Sequence, residues 1–241
     1  MPKTELKYKR ILLKLSGEAL LGEREYGIDP EVCDYIAKEI AKLVKNKIEV
    51  VVVLGGGNIF RGLAAEKHGM KRVTGDYIGM LATVMNSLAL GSALNKIKIE
   101  NRVQSALDMS KVCEPYIRNR AIRHLEKHRV VIVAAGSGHP YFSTDTAAAV
   151  RACELDCQVV LKATKVSGVF DRDPAKHDDA KKFDKLTYLD VINNDQINVM
   201  DSTAITLCKD NNIPILVLKL TIKDNILKAC QGHKIGTIIE A

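Results

Sequence analysis

The stretch Val50–Gly62, VVVVLGGGNIFRG, limits what this chain can fold into more than any other. Val50 to Leu54 is short, β-branched and apolar at every position, the signature of a central strand buried on both faces of a parallel sheet. Gly55, Gly56 and Gly57 then remove every Cβ where the chain leaves that strand. The backbone is free to approach a ligand closely there and to turn its N–H groups toward an anion. Arg61 follows with a planar fork of donors suited to phosphate oxygens. The known glycine fingerprints do not fit: G-x-G-x-x-G needs glycine where Phe60 stands, and a P-loop needs lysine where Leu63 stands. A glycine-rich turn beside a solvated arginine is the plain reading, and an anion cradle of another design is the functional one.

The rest of the chain alternates strand and helix signals. Strands are predicted at Ile11–Leu15, Val50–Leu54, Arg102–Leu107, Val130–Ala134, Val159–Lys162, Ile215–Leu220 and Thr237–Ile239. Asp29-Pro30-Glu31 opens a helix with a capping acceptor, a first-turn proline and an acid facing the dipole, and Val32, Ile36, Ile40 and Leu43 continue it at helical spacing. A long apolar helix runs from about Gly75-Asp76 to Leu94. Further helices are expected over Pro115–Lys127, with Ile117, Ile122 and Leu125 on one side, over Thr146–Cys153, Leu189–Asn193 and Ser202–Asn211, and after Thr221. Glu18–Gly27 reads as a loop, and the charged segment Ala163–Asp184, with Gly168 and Pro174, as an exposed loop or hairpin. This alternation implies a mainly parallel sheet covered on both faces. Without a low-complexity linker or an internal repeat, 241 residues form one α/β unit of two lobes.

Composition excludes some functions. The uncharged segment Tyr77–Asn95 holds Thr83, Asn86, Ser87 and Ser92, too polar for hydrocarbon, so a helix in the core or in a subunit interface is expected, not a membrane span. The lead MPKTELKYKR has no apolar signal core, and the six cysteines form neither a C-x-x-C nor a zinc ribbon. Reduced thiols in a cytoplasmic protein follow. A net charge of +7 attracts anions. With aromatics at 5% and no long basic run, small phosphorylated ligands are expected and nucleic acid is not.

In open parallel sheets ligands collect beyond the carboxyl ends of the strands. Four such ends carry glycines, hydroxyls and cations: Lys14-Leu15-Ser16-Gly17, Gly55-Gly56-Gly57-Asn58, Gly136-Ser137-Gly138-His139-Pro140 with Ser143-Thr144-Asp145, and Lys162-Ala163-Thr164-Lys165. Each alone is weak. Together they describe a site for two phosphorylated groups. Asp145 reads either as a helix cap or as a carboxylate that orients a lysine, and strand periodicity does not decide between Lys162 and Lys165 as the second cation.

The set KLSGEAL, GGGNIFRG, GDYIGMLATVMN, FSTDTAA, LKATKVSGVFDRDP and the Asp201 VMD closely resembles the amino acid kinase family, in particular its members that phosphorylate UMP, from Lys9 to Glu240. The resemblance implies a three-layer α/β/α sandwich with a mainly parallel central sheet, residues 1–155 binding the phosphate acceptor and 156–241 binding ATP. It implies transfer of the γ-phosphoryl of ATP, which carries Mg²⁺, to UMP. Carried over residue by residue, Lys14, Leu15, Ser16, Gly17, Gly57 and Arg61 meet ATP phosphates, and Thr164, Phe170 and Asp173 hold its adenosine end. Gly56, Asp76 and the run Ser137, Gly138, His139, Pro140, Tyr141, Phe142, Ser143 and Thr144 contact UMP. Lys14, Arg61, Asp145 and Lys162 form the catalytic set. The resemblance further implies a homohexamer built as a trimer of dimers, a GTP activator at Glu23, Arg24, Glu25, Tyr26, Gly27, Ile28 and Arg102, and a UTP inhibitor. Gly91 and Asn95 depart from the Arg and His that relatives carry near the GTP site. The alternative is a non-catalytic nucleotide-binding or nucleic-acid-binding regulator on the same fold.

Overall fold

The computed structural model describes residues 5–60, 69–194, 197 and 199–241. Its centre is a nine-stranded sheet. The strands in chain order are β1 (Arg10–Leu15), β2 (Glu49–Leu54), β3 (Asn101–Ser105), β4 (Glu114–Pro115), β5 (Val130–Ala134), β6 (Val160–Thr164), β9 (Lys185–Thr187), β10 (Ile215–Lys219) and β11 (Thr237–Glu240), while β7 (Val169–Phe170) and β8 (Lys182–Phe183) form a separate antiparallel pair. The spatial order is β4-β3-β5-β2-β1-β6-β10-β11-β9. Every pairing is parallel except β10 with β11. The four chemistry-bearing strand ends thus belong to four adjacent strands, β5, β2, β1 and β6. The connection from β1 leads to one side and that from β6 to the other, which opens a crevice between them.

The period-2 alternation of these strands assigns their side chains to two cores. Ile11, Leu13, Leu15, Val50, Val52 and Leu54 face one helical layer. It contains α1 (Pro30–Lys45), α2 (Arg72–Lys96) and α7 (Asn225–Cys230). Leu12, Val51, Val53 and Val160 face the other, with α3 (Arg118–Glu126), α4 (Thr144–Glu154), α5 (Tyr188–Ile192) and α6 (Ser202–Asp210). The three-layer α/β/α sandwich is as expected. Lys14 and Lys162 share the parity of Leu12 and Val160, so both side chains point into the α4 layer. Five of the six cysteines are buried and none is disulfide-bonded; burial raises Cys33 to about 11, so it packs as a thiol.

Several boundaries differ from the sequence reading, each for a local reason. Residues 115–127 do not form one helix: Glu114–Pro115 extends β3's edge, and α3 begins at Arg118 after Ile117, which is 47% exposed. Helix α4 starts at Thr144, and its cap is Ser143, whose hydroxyl accepts from the amides of Asp145 and Thr146; Asp145 is inside the first turn. Asp29 does cap α1, accepting from Glu31. Thr221 caps nothing; α7 is preceded by Asp224 in a left-handed conformation, φ +63°. Part of the loop after β1 is a 3₁₀ turn, Gly17–Leu20. Helix α2 begins at Arg72, which places Asp76 within its second turn. It is long and apolar enough to cross a bilayer, with hydropathy 1.4, yet 56% of that window is buried inside the protein.

Candidate active site

At the crevice, Lys14 of β1 and Lys162 of β6 are register partners across the sheet. Both ammonium groups meet one carboxylate at the start of α4: Lys14 Nζ lies 2.5 Å from Asp145 Oδ1 and Lys162 Nζ 2.9 Å from Asp145 Oδ2. Lys162 also donates to the carbonyl of Val199. Burial alone would raise the Asp145 carboxyl, but the two ammonium groups outweigh it and hold it below the usual carboxylate range. Burial, with Lys14 close by, lowers Lys162 below an ordinary lysine although Asp145 pulls the other way. Two cations thus share one carboxylate directly, with the Asp201 carboxylate close enough to act on Lys162. Lys165, the other candidate, lies beyond the end of β6 and is exposed. Register puts Lys162, not Lys165, beside Lys14 and Asp145.

On the β2–β5 side, glycines bring backbone against backbone. A Cβ on Gly17 would lie 2.7 Å from the Gly57 amide nitrogen, and one on Gly56 would lie 2.7 Å from the Gly79 carbonyl of α2. Gly57 is different: its Cβ would meet no atom of the described residues within 4 Å. Gly56 and Gly57 line a cavity of 220 Å³ together with Asp76, Thr83, Ser137, His139, Phe142, Ser143 and Thr144. Asp76 ties its walls together. Its carboxylate accepts from Arg72 Nε at 2.9 Å and from the Tyr141 amide at 2.7 Å. Gly138, with φ +82°, packs against the Ala106 carbonyl behind the cavity, and the Tyr141 side chain is 65% exposed. Leu15 turns its side chain into the core and offers only its carbonyl, which accepts from Gly55. Ser16 precedes the 3₁₀ turn without a side-chain capping bond. Arg61 lies outside the described residues.

On the β6–β10 side a second cavity, 390 Å³, is lined by Lys162, Thr164, Phe170, Asp173 and Pro174, with Val199 and Val217 at its base. Strand β7 of the β7–β8 hairpin lines one wall, through Val169 and Phe170. The hairpin is docked by Thr237, whose hydroxyl accepts from the Val169 amide at 2.8 Å and donates to the Phe183 carbonyl. A Cβ on Gly168 would come within 2.6 Å of that hydroxyl. Of the cluster, Lys162 lines this cavity, while Thr144, next to Asp145, lines the smaller one.

Sequence reasoning placed the glycines but not what holds them. Asn58 and Asn86 exchange two side-chain hydrogen bonds, 2.9 and 2.7 Å, and Asn86 also donates to Gly55 at 2.7 Å. Asp201 accepts from the hydroxyls of Ser143 and Thr146, which locks the start of α4 to that of α6. An asparagine after a glycine run is the one visible signal for the first device, and nothing local marks its partner. The suggested effector residues are not brought together within the chain. Gly27 is bonded to Asn58, 2.8 Å in each direction, at the carboxyl end of the sheet. Arg102, at the opposite end in β3, pairs with Glu114 at 3.5 Å. Gly91 is buried against Asn101 and Val103, and Asn95 accepts from Asn101 at 2.8 Å.

Fold and site together define a class: an α/β/α sandwich with paired lysines on one carboxylate at a sheet crevice and cavities lined by the neighbouring strand ends. The chain belongs to the amino acid kinase family, whose model matches residues 9–219. Among solved structures it is similar to the UMP kinase from Bacillus anthracis, with 40% identity, a TM-score of 0.92, and 97% of this chain and 96% of that one covered. It is similar also to the UMP kinase from Ureaplasma parvum, with 36% identity, a TM-score of 0.90, and 98% and 100% covered. The uridylate kinase from Archaeoglobus fulgidus matches at 28% identity with a TM-score of 0.74, covering 95% and 99%.

Proposed function

We propose that this protein is a UMP kinase that transfers the γ-phosphoryl group of ATP to UMP, giving ADP and UDP. The observation that carries the reading is the Lys14–Asp145–Lys162 cluster between two cavities. Among the described residues, those lining the smaller lie at or before Thr144 and suit the acceptor; those lining the larger lie at or after Lys162 and suit the donor, in keeping with acceptor and donor lobes of about 1–155 and 156–241. ATP brings Mg²⁺ as part of the substrate. A phosphate oxygen of UMP attacks the γ-phosphorus, the bond to the β,γ-bridging oxygen breaks, and ADP carries away the electron pair. No proton need be removed from an anionic acceptor, so no general base is required. What the site supplies is alignment and positive charge: Lys14 and Lys162 offset repulsion between the two substrates, and Asp145 fixes both ammonium groups. Ser16, Gly17, Gly57 and Arg61 complete the phosphate cradle. Thr164, Phe170 and Asp173 hold adenosine, and Gly56, Asp76 and Ser137–Thr144 hold UMP.

The exposed apolar stripe Val73, Tyr77, Leu81, Met85 and Leu88 of α2 supports a symmetric dimer as the unit of a hexamer. A GTP activator and a UTP inhibitor belong to the same reading, with the enzyme in the cytoplasm. Uracil has a carbonyl where cytosine has an amine, so an acceptor loop that reads the base by hydrogen bonds discriminates strongly. A coupled assay with ATP against UMP, CMP and carbamate tests this: UMP is expected to dominate kcat/KM, and equal values for CMP and UMP would overturn it.

A further inference from the structure

Three buried or half-buried groups with no part in phosphoryl transfer lie beneath the acceptor loop. Arg151, on the buried side of α4, is 6% exposed. Its Nη1 donates to Glu154 at 2.6 Å, its guanidinium carbon lies 4.0 Å from the centre of the Tyr116 ring, and its Nη2 donates to the Gly136 carbonyl at 3.4 Å. The Tyr116 hydroxyl donates to the same Glu154 oxygen at 2.7 Å. Burial and that carboxylate push the phenol well above its usual value, which keeps it a donor. Desolvation offsets most of the attraction in such a pair, so stability alone is a weak reason for a buried arginine here.

Gly136 supplies a better one. Ala135 and Gly136 are consecutive left-handed residues, φ +62° and +58°, and the alanine is strained there. Ala135 is fully buried in an apolar cluster with Met80 and Val84, and its carbonyl accepts from the Gly138 amide at 2.9 Å. Gly136 has no such packing, since a Cβ there would meet no described atom nearer than 3.9 Å. Two further polar tethers reach the turn from the helices. Thr83 of α2 accepts from the Ala135 amide at 2.8 Å, and Arg151 of α4 donates to the Gly136 carbonyl from the other side. We infer that Arg151 is a positioning residue for the phosphate acceptor: braced by Glu154 and Tyr116, it fixes the Ala135–Gly136 turn and so aims Ser137–Thr144 at the 220 Å³ cavity. The inference rests on the UMP reading of that cavity.

The test uses the full-length enzyme and compares Arg151→Lys and Glu154→Gln with wild type. Steady-state kinetics are combined with calorimetric titration of UMP and thermal unfolding. Lysine keeps the charge for Glu154 but cannot span Glu154 and Gly136 at once. Arg151→Lys is therefore expected to raise the KM and Kd for UMP by ~10-fold or more, the scale of a small misplacement, with the KM for ATP within about 2-fold and most of the thermal stability retained. Glu154→Gln, which loosens the brace, should shift UMP in the same direction by a smaller factor, and it decides the matter if Arg151→Lys does not fold. UMP constants within about 2-fold of wild type in the folded variants, or equal losses for ATP and UMP, would overturn the inference. Failure of the functional reading looks different: wild type itself would neither bind nor phosphorylate UMP.

Discussion

At the scale of single residues, the crevice separates chemistry from binding. Charge grows on the leaving oxygen of ADP as transfer proceeds, so a cation there stabilises the transition state more than the ground state. Lys14→Ala is expected to lower kcat by ~10²-fold or more, with a smaller effect on the KM for UMP. Asp76 lies on the acceptor side and holds the Tyr141 amide, so Asp76→Ala should chiefly raise that KM. Steady-state kinetics of both variants, with folding checked by circular dichroism, test the division; near-normal kcat in Lys14→Ala would refute it. The lowered Lys162 adds a pH signature. On the proposed mechanism Lys162 acts in its protonated form, so kcat/KM should fall as pH rises through a pKa below the ordinary lysine value of about 10.4. Arginine does not deprotonate in that range, so Lys162→Arg should shift the alkaline limb upward even if its plateau is lower. A limb unmoved in Lys162→Arg would assign it to another group. Asp145 is lowered, so its ionised form is present above the unfolded carboxylate range and is lost only as pH falls through its native value. It contributes no limb near neutrality.

At the scale of elements, α2 carries two duties on opposite faces. Its inner face brings Thr83 and Asn86 to the glycine turns of β2 and β5. The outer face leaves Leu81 and Met85 exposed at 48% and 53%, one helical turn apart. A surface helix of a monomer needs no such stripe. Met85→Glu or Leu88→Glu is expected to dissociate the assembly, read by light scattering, while circular dichroism stays native. Wild-type protein running at 26.5 kDa at working concentration would refute an α2-mediated dimer.

At the scale of the whole molecule, the sheet order sets two ligands side by side. The four functional strand ends are neighbours because β6 pairs with β1, far from it in sequence. Lys162 lines the larger cavity, and Thr144, the neighbour of Asp145, lines the smaller, so on the proposed reading donor and acceptor lie on either side of the lysine cluster. One molecule joining adenosine and uridine through a phosphate chain of suitable length should occupy both at once. The second contact is then intramolecular, and binding should exceed that of UMP or ATP alone by ~10² or more. Competition against each substrate measures this. Affinity no better than that of UMP would mean that the cavities do not face each other across the transferred group.

The sequence by itself determined the elements that short-range physics controls. Unbroken β-branched runs gave the buried strands, Asp29-Pro30-Glu31 gave the start of α1, and three glycines in a row marked the backbone approach, because caps, turns and strand faces depend on residues within a few positions. The motif set carried the family. Only the tertiary structure decided matters that depend on distant partners. Register between β1 and β6 put Lys162, not Lys165, against Asp145. A hydroxyl three positions before Thr146, itself held by Asp201, took the cap that Asp145 could have filled. The Asn58–Asn86 and Arg151–Gly136 contacts join separate elements, and no local pattern announces them. Periodicity tells a side chain which face to occupy; which atoms it meets there is fixed by how the rest of the chain folds over that face.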